Sequence, residues 1–123
     1  MKALGCQKID SDTHYIVLTN WGFRLHSIAG NGALIRDCEE IEGGLSLCQS
    51  YRNTQLFFVV GTGENGAWPT SKLFIWDNEL KKKLAELEFK DSIVDLRVVG
   101  DWVVVAQKDR VVPLKFDVDL CQV

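Results

Sequence analysis

An all-β fold is predicted by three observations on this 123-residue chain. The apolar run Leu73-Phe74-Ile75-Trp76-Asp77 ends in a Trp-Asp pair. Three segments rich in β-branched and aromatic residues each read as strand, turn and second strand. Their first strands start at Tyr15, Leu56 and Trp102, 41 and 46 residues apart. A Trp-Asp pair closing a strand, repeated at about 40–45 residues, is the pattern of WD40-like β-propeller blades. The expected architecture is about two and three-quarter four-stranded antiparallel blades: blade 1 about 5–41, blade 2 about 44–90, and a partial blade 3 about 92–123.

The elements follow in order. The first hairpin is Tyr15 to Asn20, the turn Trp21-Gly22, and Phe23 to Ile28, with Ala33 to Arg36 as its outer strand. Leu45 to Ser50 alternates apolar and polar residues as an inner strand does. Leu56 to Gly61, a polar loop and Leu73 to Asp77 form the second hairpin. Glu79 to Leu87 holds good helix formers, with Leu80, Leu84 and Leu87 at helical spacing, but the alternation from Leu84 to Phe89 and the repeat register favour an outer strand. Ile93 to Arg97 is the next inner strand, and Trp102 to Gln107 with Val111 to Phe116 the third hairpin. Pro113 marks its strand as an edge, because proline has no N–H to give a central ladder.

Composition narrows function. The net charge of −3 offers no general attraction to nucleic acid or anionic membrane. Cys6, Cys38, Cys48 and Cys121 are scattered, with no CxxC pair and no clustered histidines, so no zinc site and no cofactor are expected. They read as small apolar residues in a reducing compartment. Met1 to Gly5 opens no long apolar segment of a signal peptide, and no stretch reaches ~18 apolar residues. A cytoplasmic location is expected.

Gly61-Thr62-Gly63-Glu64-Asn65-Gly66 is a literal GxGxxG, whose glycines would admit a pyrophosphate to a helix N-terminus. Pro69 falls where that helix should run, and a strand follows at once, so the segment reads as a hairpin loop. His14 and His26 lie in or beside strands, and nothing in their spacing to Cys6 or Cys48 supports a dyad. No enzyme is expected.

The stretch Lys72 to Asn78, with Ala85 to Phe89, Val94 to Arg97 and Asp101 to Val105, resembles the second and third blades of the PROPPINs, the phosphoinositide-binding propellers of autophagy. Gly22-Phe23-Arg24-Leu25 is similar to that family's first-blade hairpin, and Leu56 to Gly63 to its strand ending in a triple-glycine loop, with Thr62 in place of one glycine. The resemblance covers about residues 8 to 117. It implies a seven-bladed scaffold that binds phosphatidylinositol 3-phosphate and 3,5-bisphosphate and recruits autophagy factors, in the cytoplasm and at autophagic precursor, endosomal or vacuolar membranes. The family's lipid sites flank an FRRG motif in a later blade; here Arg24, Arg36, Arg52, Arg97 and Arg110 are all isolated. The resemblance therefore implies no lipid site within this chain, and phosphoinositide membranes are partners only if further blades are supplied.

For protein partners, the resemblance points to autophagy lipid-transfer and scaffold proteins. Asp10 and Asp12 are similar to a polar pair that holds the lipid-transfer protein, although an aspartate pair at a turn also hydrogen-bonds its own backbone. Family arginines that grip an acidic coiled coil correspond to Gly100 and Asp117, which implies loss of that contact. Arg97 matches a basic family position, and Lys108 and Arg110 lie nearby; a solvated turn or sheet edge is the competing reading of all three. With so few blades, uncovered sheet edges also predict a chain that is marginal or self-associating in isolation.

Overall fold

The computed structural model describes residues 3–8, 14–28, 31–52, 54–64 and 66–117, with side chains from residue 14 onward. Eleven strands make three antiparallel sheets among these residues. Sheet 1 joins β1 (Ala3–Lys8), β2 (His14–Thr19), β3 (Gly22–Ser27) and β4 (Ala33–Cys38) in that order. Sheet 2 joins β5 (Leu45–Ser50), β6 (Leu56–Gly61), β7 (Lys72–Asp77) and β8 (Lys82–Glu88). Sheet 3 has β9 (Ile93–Val99), β10 (Trp102–Gln107) and β11 (Val111–Lys115), with β10 in the middle. The inner strands converge: β5 lies against β1, β2 and β9. The expected all-β class with propeller-like sheets is what the chain forms.

Sheet 2 is covered on both faces, and its sequence says why. A strand with one wet face alternates, whereas one buried twice is a continuous apolar run. Along β6, Phe57 and Val59 enter a core shared with sheet 1, where they meet Ile16, Leu18, Phe23 and Leu25. Phe58 and Val60 enter a second core with Ile93, Leu96, Val98, Val103 and Val105 of sheet 3. In β7, Phe74 and Trp76 face the first core while Leu73 and Ile75 face the second. An irregularity between Leu45 and Leu47 lets β5 send Leu45 and Cys48 to one side and Leu47 to the other.

The ambiguous segment at 79–87 is resolved by its turn. Asp77 Oδ1 accepts the amides of Glu79 at 2.9 Å and Leu80 at 3.1 Å, and Lys81 sits at φ 55°. A left-handed residue there stops helical propagation, and the chain returns as β8. Pro113 lies in β11, which pairs only with β10 among the described residues, so no ladder bond is lost at the open edge. The first hairpin turns at Asn20-Trp21, one residue earlier than expected, because Gly22 already pairs with Thr19. Gly22 has φ 147°, and a Cβ on it would lie 2.2 Å from the Cys38 carbonyl oxygen, so β4 can close over β3 only at glycine.

Candidate functional site

Sheet 3 gathers three of the five residues singled out as partner-binding. Directly opposed residues on neighbouring strands share a face, so its outer face is read in rows: Val111–Ala106–Asp95, Pro113–Val104–Arg97 and Lys115–Trp102–Val99. Arg97 Nη1 lies 3.1 Å from Asp95 Oδ1 and 3.0 Å from the Leu96 carbonyl oxygen. Lys115 Nζ stands 5.7 Å from the centre of the Trp102 ring, within cation–π range. Val99, Trp102 and Val111 are all exposed. This is an apolar face carrying three charges.

Lys108 and Arg110 occupy the β10–β11 turn instead. Lys108 lines an open groove with Asp91, Ser92, Val94 and Asp109. The groove is held rigid by Gln107, a buried glutamine whose Nε2 donates to the Asp91 carbonyl at 2.8 Å and whose Oε1 accepts from Arg110 Nε at 2.7 Å. Gln107 thus fixes the β8–β9 loop to the β10–β11 turn, and it draws Arg110 toward the sheet. Its inward position was legible as the end of the alternation Val103, Val105, Gln107; its bridging role was not. Asp10 and Asp12 lie outside the described residues.

Two seams join the sheets, and polar residues fasten each. Between sheets 1 and 2, the buried Asn78 accepts from Trp76 Nε1 at 3.2 Å and from Lys81 Nζ at 2.9 Å, and its Nδ2 donates to the Asp37 carbonyl at 3.1 Å. Between sheets 2 and 3, Asp101 Oδ1 accepts from the Tyr51 hydroxyl and, at 2.7 Å, from Arg52 Nη2. Tyr51 also packs edge-on to Phe116 and Phe58, with ring centres 4.9 and 6.3 Å away. Gly100 and Asp117 flank this second seam, one in the β9–β10 turn and the other just beyond β11.

The glycine motif is a folded-back loop. Gly63 N donates to the Trp68 carbonyl at 2.9 Å, Thr62 Oγ1 donates to the Gly43 carbonyl at 2.9 Å, and Trp68 packs at a tilt against Phe74 with ring centres 4.6 Å apart. β7 follows at Lys72 where a dinucleotide fold would need a helix. His26 Nδ1 lies 2.8 Å from the Gly32 carbonyl oxygen, and its ring stacks on Tyr15 at 5.2 Å. Cys38 and Cys48 are free thiols in the first core. Burial pushes the Cys38 thiol up to about 12 and the Cys48 thiol well above its ordinary value, so both stay protonated and unreactive near neutral pH. Desolvation opposes the charge of Glu40, yet hydrogen bonds from the Glu39 amide and the Cys38 thiol, with Lys81 nearby, hold its carboxyl below the usual carboxylate value. No group of three His, Cys, Asp or Glu among the described residues is placed to hold a metal. No helix there is long and apolar enough to cross a membrane.

These sheets and seams are those of WD40-type propeller blades. No family model matches the chain. Over 104 residues it is 29% identical to autophagy-related protein 18e of Arabidopsis thaliana, aligning 84% of this chain with 28% of that protein. Hsv2 of Kluyveromyces marxianus superposes with a TM-score of 0.80 at 18% identity, over 98% of this chain and 37% of that one. KlAtg21, solved in complex with the coiled-coil of AgAtg16, superposes with a TM-score of 0.77 at 19% identity, over 99% and 38%. The chain spans well under half the length of each. The chain is thus similar to part of an autophagy-related protein and shares the fold of part of Hsv2 and KlAtg21.

Proposed function

We propose that the chain is a non-enzymatic interaction segment of a PROPPIN-type autophagy propeller, whose own residues contact protein while phosphoinositide binding resides in blades outside it. The three sheets are, in this reading, successive blades of that propeller. The observation that carries the reading is the agreement between the autophagy-related sequence relative and the propeller neighbours over nearly all of this chain. Two features support it. The described polar clusters are fasteners between sheets, and the two free thiols of the core are held protonated. The isolated arginines also fail to supply the paired guanidinium groups that would face two headgroup phosphates.

Partners of this kind are autophagy lipid-transfer or scaffold proteins, met in the cytoplasm and at autophagic membranes. KlAtg21 was solved with a coiled-coil of AgAtg16. For this chain, Asp10, Asp12, Arg97, Lys108 and Arg110 are the proposed contact residues. Liposome flotation tests the division of labour. The chain alone is expected to stay unbound with vesicles containing phosphatidylinositol 3-phosphate, as with vesicles lacking it. Specific flotation with the phosphoinositide would overturn the assignment of lipid binding to other blades. In parallel, immobilised chain is expected to retain lipid-transfer or scaffold proteins of autophagy, and retention of none would sink the partner assignment.

A further inference from the structure

The ammonium of Lys83 is held by aromatic rings instead of a carboxylate. Its Nζ stands 4.8 Å from the centre of the Phe74 ring and 5.1 Å from that of Trp68, within cation–π range of both. Trp68 lies 4.6 Å from Phe74 and 6.0 Å from Trp76, at tilts of 43° and 51°, so the three rings form adjoining walls and not one stack. Neighbouring lysines find oxygen: Lys72 pairs with Glu86 at 3.4 Å, and Lys81 with Glu40 at 3.8 Å. Lys83 makes no ion pair among the described residues.

A break in the β7–β8 ladder puts Lys83 there. Ile75 pairs with Ala85, so a regular ladder would set Trp76 opposite Leu84 and turn Lys83 to the other face. The register instead shifts between Ile75 and Trp76, Trp76 pairs with Lys83, and Lys83 joins Phe74, Trp76 and Glu86 on one face. Bulges re-aim side chains in this way beside functional sites. The face belongs to the seam of sheets 1 and 2, where Phe74 and Trp76 are buried in the first core and Trp68 packs half-buried against it. Both sheets of that seam lie in this chain, so blades beyond its ends do not decide whether the site is open. Beside Lys83 an open cavity of about 220 Å³, lined also by Leu84, Ala85 and Glu86, gives its side chain room to withdraw.

We propose that Trp68 and Phe74, backed by Trp76, form a binding site for a methylated ammonium group, in which Lys83 is the built-in occupant. A quaternary ammonium has no N–H to hydrate, so it gives up less water than the primary ammonium of Lys83 on meeting the ring faces. The carboxylates of Glu86 and Glu88 share that face, opposite Phe74 and Lys72. They favour a cation that carries no phosphate beside it, and so a trimethylated lysine side chain of a protein partner over a choline headgroup. Binding returns the exposed Lys83 side chain to water. This inference goes beyond the autophagy assignment and does not rest on it, because flotation does not read the aromatic site.

Nuclear magnetic resonance titration of the 123-residue chain with trimethyl-lysine, blocked at both ends, tests it. Ring currents shift methyl protons upfield when they sit over aromatic faces, so the ligand's own N-methyl signal reports the site. Trimethyl-lysine is expected to bind at least about tenfold more tightly than blocked lysine or the neutral tert-butyl isostere. Lys83→Ala removes the competitor and leaves the rings, and should tighten binding about two- to fivefold. Trp68→Leu, with its fold checked by circular dichroism, should abolish the shift; if that variant does not fold, Lys83→Ala and the isostere carry the test. Absence of an upfield shift with both wild type and Lys83→Ala overturns the proposal. So do equal binding of the isostere, weaker binding by Lys83→Ala, or an unchanged shift in folded Trp68→Leu. Tighter binding of phosphocholine than of trimethyl-lysine overturns the choice of a protein side chain as the ligand.

Discussion

Replacing Asn78 with alanine removes the fastener between the first two sheets, and the structure sets the size of the effect. Asn78 is only 6% exposed and the Trp76 that donates to it only 4%, so water cannot substitute for the lost amide. Orphaning the Trp76 indole N–H at that depth costs about 1–3 kcal/mol. The Asp37 carbonyl keeps Lys81 Nζ at 2.9 Å, so on that side only an ordinary hydrogen bond is lost, about 1 kcal/mol. The sum, about 2–4 kcal/mol, is a large part of the ~5–15 kcal/mol that holds a domain folded. It corresponds to a fall in Tm on the order of 10 °C for a chain of this size. Urea and thermal melts followed by circular dichroism measure it. The reasoning is checked by a double-mutant cycle with Trp76→Phe, which removes the indole N–H and with it the group that Asn78→Ala strands. The pair should then couple by about 1 kcal/mol or more. Additivity within about 0.5 kcal/mol would refute the account, because residues sharing no interaction combine that way.

Three further outcomes follow from the same packing. Gly61→Ala should abolish cooperative melting, since its Cβ would sit 2.0 Å from the Trp68 carbonyl oxygen, whereas Gly66→Ala, with no atom within 4 Å but φ +83°, should cost only about 1–2 kcal/mol. The buried thiols make stability depend on alkaline pH: a thiol whose folded pKa is raised stabilises fully below its unfolded value near 9, and that stability is lost as pH climbs toward about 12. Cys38→Val should flatten urea midpoints measured from pH 8 to 11, and an unchanged slope would count against burial as the cause. Asp101→Ala strands the Tyr51 hydroxyl and frees Arg52, so a loss of about 1–3 kcal/mol is expected in the same melts, with Tyr51→Phe recovering part of it. If Tyr51→Phe in that background changes nothing, the hydroxyl was not the stranded group.

The strands were legible because their residues announce both type and exposure. Leu56 to Gly61 is a continuous apolar run, and it is the strand with two covered faces. Which neighbour each face meets was not legible. Taken from Tyr15, the first copy aligns Ile16 with Phe57, yet Ile16 points forward into sheet 2 and Phe57 points back into sheet 1. The strands in fact begin at His14, Leu56 and Trp102, 42 and 46 residues apart, and the one-residue shift restores equivalent faces. A side-chain period of two makes any such slip exchange the faces completely. Alternation alone cannot detect it, because both sides of these strands are apolar. The partner-binding candidates suffered from a related limit. Arg97, Lys108 and Arg110 read alike in sequence as isolated cations, but Arg97 stands on an apolar outer face beside Asp95, Lys108 borders a groove, and Arg110 is drawn onto Gln107.

The Trp-Asp pair that identified the fold shows how a motif and its mechanism divide. Asp77 does local work, taking two amides of its own turn so that the chain can reverse into β8. Trp76 does packing work in the first core. The contact that reaches across to the neighbouring sheet belongs to the next residue, Asn78, whose amide can accept the indole proton and donate to the Asp37 carbonyl at once. Aspartate at that position would offer only acceptors, and leucine neither, so the seam depends on a group with both functions. In this chain the dipeptide shapes the turn, and the residue after it joins the sheets.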